Sequence, residues 1–118
     1  MSNIDRSAAE REESVVVEWA PFQLAAGVTE PTLLAASEVL QRDFLANQPG
    51  FLRRELIRLS AEHWVDLVYW ENEAAAKGVM DAVSSSPVCQ SYFQLMVGAD
   101  SADPGAGVLH GHRVRVYG

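Results

Sequence analysis

FLRRELIRLSAEHWVDLVYWE, residues Phe51–Glu71, reads as two β-strands joined by a short polar turn at Ser60–His63. Its second half decides the architecture. Alternate residues of WVDLVYWE place Val65, Leu67 and Tyr69 on one face and Trp64, Asp66, Val68 and Trp70 on the other. Both faces are largely apolar, so both need cover. The first carries no charge and is expected to pack on helices. The second sets one carboxylate among two indoles, a combination that suits the wall of a cavity.

Upstream, SVVVEWAPFQL (14–24) is rich in β-branched residues and predicts a first strand. Val15, Val17 and Trp19 share one face of it, and Val16, Glu18, Ala20 and Phe22 the other. Pro21 marks an edge-like or bulged end. Thr29 is placed to cap a helix with Pro31 in its first turn, and Leu33, Ala36, Leu40 and Phe44 recur at helical spacing, so the helix runs to about Asn47. Pro49–Gly50 then stops it.

Downstream, Asn72 caps a second helix whose stripe is Ala76, Val79, Met80 and Val83. Ser86 and Pro87 open a shorter one carrying Cys89, Tyr92, Phe93 and Met96 on one face. GADSADPGAG (98–107) is a loop, and a last strand is expected over Val108–Tyr117. Residues 1–13 are polar and charged and read as a tail ahead of one domain, 14–118.

The 118 residues suffice for one core, and 16 acidic against 9 basic side chains give a net charge of −7. An acidic chain without a basic stripe is a poor partner for nucleic acid or anionic membranes. A single cysteine, no secretory h-region and no apolar run of spanning length point to a soluble, cytoplasmic protein.

The order β-α-β-β-α-β is the split βαβ pattern of an α+β, ferredoxin-like sandwich, with strand order 4-1-3-2, an antiparallel sheet and helices on one face. The other face, with Val16, Phe22, Trp64, Val68 and Trp70 assigned to it, holds too much apolar surface to leave bare. A second copy packed sheet to sheet covers it, so a homodimer is expected.

Three short motifs carry a family resemblance: QPGF at Gln48–Phe51, VDLVYWEN at Val65–Asn72 and SPVCQSYF at Ser86–Phe93. Over residues 14–97 the chain resembles the antibiotic biosynthesis monooxygenase-like family of dimeric α/β-barrel proteins. The resemblance implies a homodimeric barrel with a pocket in each protomer between sheet and helices. It implies no single activity, since the family spans cofactor-independent monooxygenases, haem-degrading enzymes and members of unknown function. An Asn and a Trp of the quinone-forming oxygenases fall on Asp66 and Trp70, whereas their helical Tyr and Arg fall near Ala76 and Phe93. The haem-degrading branch shares the strand Trp and needs an axial histidine, near whose place Tyr92 stands, so no haem is expected.

Asp66 and Trp70 are accordingly the candidate catalytic pair, the carboxylate taking a proton or holding a hydroxyl and the indole stacking on a ligand. The competing reading of Asp66 pairs it with Arg53, Arg54, Arg58, Arg113 or Arg115 as a dimer-fixing salt bridge. Glu18, Trp64, Val68, Tyr92, His110 and His112 are the candidate substrate contacts. His110 and His112 form H-x-H beside Glu18, too open a ligand set to predict a metal. Neither a phosphate loop nor a dinucleotide fingerprint is present, so no cofactor is expected. The function read from these residues is a cofactor-independent monooxygenase acting on a small aromatic, polyketide-like substrate. The alternative is a non-catalytic small-molecule-binding or structural dimeric module.

Overall fold

The computed structural model describes residues 14–100 and 102–118; the expected tail, residues 1–13, lies outside the described residues. Strand β1 (Val16–Gln23) leads into helix α1 (Glu30–Asp43), followed by strands β2 (Phe51–Arg58) and β3 (His63–Trp70). Helices α2 (Glu73–Ser84) and α3 (Pro87–Phe93) and strand β4 (Leu109–His112) complete the order. The sheet runs β2-β3-β1-β4 with every neighbouring pair antiparallel. This is the α+β, ferredoxin-like arrangement that the strand and helix order predicts.

Local chemistry explains the helix starts. Thr29, Asn72 and Ser86 each accept a backbone N–H three residues on, from Thr32, Ala75 and Cys89, satisfying donors that a helix leaves free. Helix α1 stops at Asp43, short of the expected Asn47. Phe44 leaves helical geometry (φ −130°, ψ −68°), and Leu45–Asn47 form a separate 3₁₀ turn.

The last strand is shorter than the expected Val108–Tyr117. Its register sets His112 against Val16, and the Arg113 N–H donates to Val15 O. Beyond His112 the chain thus runs past the start of β1, and Val114, Val116 and Tyr117 are exposed.

The sheet face that meets the helices is the reverse of the expected one. Val16, Trp64, Val68 and Trp70 join Leu33, Leu40, Phe44, Ala76, Val79, Val83, Cys89 and Tyr92 in one buried cluster. Val17, Trp19, Val65, Leu67 and Tyr69 lie on the other face, with Trp19 paired to Leu67 and Val17 to Tyr69. Two indoles bury more apolar area than Val65 and Leu67, and the charge of Asp66 is met inside the protomer by Arg54. Tyr69, by contrast, finds polar partners on its own face: it donates to Glu55 and lies under the Arg53 guanidinium.

A bulge at Leu52 makes the Arg54 contact possible. Phe51 opposes Trp70 and Arg53 opposes Tyr69, so one residue of β2 is looped out. Unbroken alternation would put Phe51 and Arg54 on opposite faces. With the bulge both face the helices, Phe51 packing edge-on against Trp70 with ring centroids 5.9 Å apart.

The β2 entry is held by Gly50, at φ +77°, whose carbonyl accepts the Glu71 N–H at 2.7 Å. A Cβ at this position would lie 2.5 Å from Ala75 Cβ. Gly50→Ala combines a left-handed backbone with a clash against α2. It is expected to cost about 2–4 kcal/mol in urea unfolding, whereas Gly27→Ala, with open space around it, pays only for its φ.

Candidate functional site

The cavity opens where β1 lacks a neighbour. On one side β4 pairs with Val16–Trp19, and further along Leu24 bridges Met96 while the Val97 N–H donates to Gln23 O. Between these, Ala20–Phe22 has no strand partner on that side among the described residues. That fits the edge-like end foreseen from Pro21. The loop after Met96 bows over this gap, and beneath it lies a cavity of about 310 Å³. That volume suits a small ligand. Its wall is mostly aromatic and aliphatic, with Phe22, Phe44, Trp70, Tyr92 and Phe93 among the lining side chains.

Of the predicted site residues, Asp66, Trp70, Glu18, Val68 and Tyr92 line this cavity. Trp64 does not: it lies at the turn end of β3, buried, its indole N–H donating to Ala61 O at 3.4 Å. His110 and His112 are also off the wall. They sit on short β4 opposite Glu18 and Val16 and are exposed. No group of three His, Cys, Asp or Glu side chains among the described residues is placed to hold a metal ion. Cys89 lines the cavity as a buried thiol that burial pushes up, the opposite of what a nucleophile needs.

Asp66 is fully engaged within the protomer. Its Oδ1 accepts from Arg54 Nε at 2.8 Å and its Oδ2 from the Tyr92 hydroxyl at 2.8 Å. The Arg54 guanidinium also donates to Ser37 O and to the Tyr92 oxygen, tying β2, β3, α1 and α3 together. Burial pushes the Asp66 carboxyl up, and Arg54 and Tyr92 pull against it. Burial alone would lower Arg54, but Asp66 and Tyr92 outweigh it and the guanidinium is held above its usual value. Burial and the Asp66 charge raise the Tyr92 phenol well above its normal range, so it stays protonated and donates. The pairing foreseen for Asp66 is therefore present, with Arg54, but it joins elements of one protomer. Arg54 as a cavity group escaped the sequence reading because the bulge that turns it inward leaves no compositional mark.

Glu18 is the carboxylate with an oxygen to spare. Its Oε1 accepts from Trp70 Nε1 at 3.2 Å and lies 3.6 Å from His110 Nε2, whereas no group among the described residues bonds Oε2. Its side chain is only 12% exposed. Burial raises its carboxyl above the ordinary 4.5; the Trp70 bond and His110 offset part of this, and Asp66 adds to it. A buried base of raised pKa in an apolar hollow is suited to taking a proton from a bound molecule.

Asp66→Asn leaves the Arg54 charge buried with no counter-charge. It is expected to lower the unfolding free energy by about 3 kcal/mol, read from the urea midpoint. Replacing both partners, Arg54→Met with Asp66→Leu, is expected to recover most of that loss.

Neither protein-family models nor curated protein sequences match this chain. Solved structures do. A protein of Bordetella bronchiseptica provisionally named an antibiotic biosynthesis monooxygenase superposes at TM-score 0.63 with 18% identity, over 86% of this chain and 99% of its own. SnoaB of Streptomyces nogalater, a cofactor-independent oxygenase, gives 0.54 at 18% identity, over 83% and 89%. A haem-degrading protein of Mycobacterium tuberculosis gives 0.53 at 20%, over 89% and 97%. The chain thus has the fold of the antibiotic biosynthesis monooxygenase-like proteins.

Proposed function

We propose that the cavity binds a small aromatic molecule and that Glu18 removes a proton from it as the first step of a cofactor-independent oxygenation. The observation that carries this reading is the Oε2 of Glu18, unbonded among the described residues, on a mostly buried side chain at the wall of an aromatic hollow and braced by Trp70. The fold shared with SnoaB, a cofactor-independent oxygenase, supports it. Asp66 is assigned a positioning role: it holds Arg54 and Tyr92, and through them the wall. Val68, on the same strand face between Asp66 and Trp70, provides a floor for a flat ring.

The chemistry balances without a prosthetic group. A phenolic substrate with an activated CH₂ loses a proton to Glu18, and the resulting anion passes one electron to dioxygen. Recombination forms a C–O bond as a peroxide, which takes the proton back. Loss of water, made of the distal oxygen, the returned proton and the second carbon-bound hydrogen, leaves a carbonyl. The net change is CH₂ plus O₂ to C=O plus H₂O. The protein supplies a base, a shape and a dry hollow.

A binding-only role is the second reading, favoured by the mutual satisfaction of Arg54, Asp66 and Tyr92. That network leaves Glu18 as the one inner-wall carboxylate with bonding capacity to spare among the described residues.

The test is dioxygen uptake with a panel of anthrone- and phenol-type compounds. Wild type is expected to consume oxygen at a rate that rises with pH as Glu18 ionises, through a range displaced above 4.5. Glu18→Gln is expected to lose at least about 100-fold, the scale of a removed general base. Ligand-induced thermal shifts without any uptake would leave the binding reading standing in its place.

The same reading includes a homodimer through the sheet face away from the helices. Val17, Trp19, Leu67 and Tyr69 supply its apolar centre, and Trp19 remains 39% exposed in the single chain. A stable interface buries about 1,000 Å² or more in total. Light scattering is expected to give twice the chain mass, and Trp19→Glu to halve it without altering ligand binding.

A further inference from the structure

The charges around the cavity are lopsided, and this bears on what enters it. Arg54 is the only cation lining it among the described residues, and Asp66, Ser37 O and Tyr92 engage its three nitrogens. The remaining charged lining groups are carboxylates: Glu18 inside, and Asp100 and Asp103 on the loop that bows over the gap. Neither loop aspartate meets a Lys, Arg or His side chain within salt-bridge distance among the described residues. Asp100 accepts the Ala102 N–H at 2.9 Å through Oδ1, and the Asp103 N–H donates to Asp100 O, so the loop's own turn holds the two together. Glu18 is mostly screened from water, and an anion brought beside it would be repelled at low dielectric.

We infer that the cavity is selective for an aromatic ligand with a proton-donating hydroxyl at its inner end and a cationic amine at its outer end, and that it rejects anionic ligands. The hydroxyl meets the spare oxygen of Glu18, the ring lies against the wall that holds Phe22, Trp70 and Tyr92, and the ammonium faces Asp100 and Asp103. The inference rests on the reading of this cavity as a ligand site but not on turnover. A matched series separates charge from shape: tyramine, tyrosol and 4-hydroxyphenylacetate share the 4-hydroxyphenyl ring and differ in carrying an ammonium, an alcohol or a carboxylate.

The experiment is titration calorimetry of the full chain with each of the three at low and at moderate salt. Tyramine is expected to bind at least about tenfold more tightly than tyrosol, and tyrosol more tightly than 4-hydroxyphenylacetate, with the first ratio shrinking as salt rises. The double variant Asp100→Asn with Asp103→Asn is expected to bring the tyramine-to-tyrosol ratio close to one, while tyrosol affinity holds. Glu18→Gln is expected to weaken all three, which share the hydroxyl, and the double variant to relieve the exclusion of 4-hydroxyphenylacetate. Equal binding of tyramine and tyrosol by wild type overturns the charge selectivity and leaves the cavity reading intact. So does a ratio that survives the double variant, because the preference would then belong to the net charge of the chain. Failure of all three to bind at millimolar concentration removes the cavity reading and this inference with it.

Discussion

The hydrogen-bonded ion pair of Arg54 and Asp66, closed by Tyr92, is the constraint on which the rest of this small domain depends. Both charged side chains are nearly out of water, at 6% and 11% exposure, so neither can be left alone. Desolvating two charges costs several kcal/mol per ion, and the pair recovers it only with good geometry and with the remaining donors satisfied. Ser37 O and the Tyr92 hydroxyl each accept from one of the two terminal nitrogens of Arg54. In net stability such a pair adds little over an apolar one. What it adds is specificity, because only one registration of β2 on β3, the one bulged at Leu52, brings the guanidinium to the carboxylate.

That registration decides which sheet face is sealed by helices, and so decides where a cavity can exist. Once Asp66 is neutralised, Trp64, Val68 and Trp70 can be buried beside it, and the hollow beneath the loop after Met96 inherits an aromatic wall. In the proposed reading, the role that a lone strand carboxylate would suggest passes to Glu18, its neighbour two strand positions away across the β1–β3 pair, where Ala20 opposes Asp66 and Glu18 opposes Val68. Trp70 serves both halves: its ring packs on Phe51, and its N–H fixes one oxygen of Glu18.

The fold was legible because its signals are local. Thr29, Asn72 and Ser86 are caps in sequence and in space, the prolines and Gly50 punctuate as expected, and alternation in WVDLVYWE is real. Orientation was not legible, since both faces of β3 are apolar and the tie is broken by Arg54, which a bulge turns inward. The candidate site was half legible. Parity alone groups Glu18, Asp66, Val68 and Trp70, and they do share a wall. Parity also drew in Trp64, His110 and His112, because alternation names a face and not a depth along it. The short reach of β4 is a matter of where its partner begins, which composition does not record.

On β1 and β3 the even-numbered residues face the helices and the cavity, and the odd-numbered ones face away. Two inherited properties are thereby written in interleaved letters on the same two strands. Drift at 18, 20 or 22 retunes the hollow, while drift at 17, 19, 65, 67 or 69 retunes whatever covers the opposite side. A lineage built on this sheet is free to reshape its hollow without altering the opposite face, and the reverse. Trp70 and the Arg54 network are the exceptions, because ligand wall and folding core coincide there. Those positions should be the slowest to change.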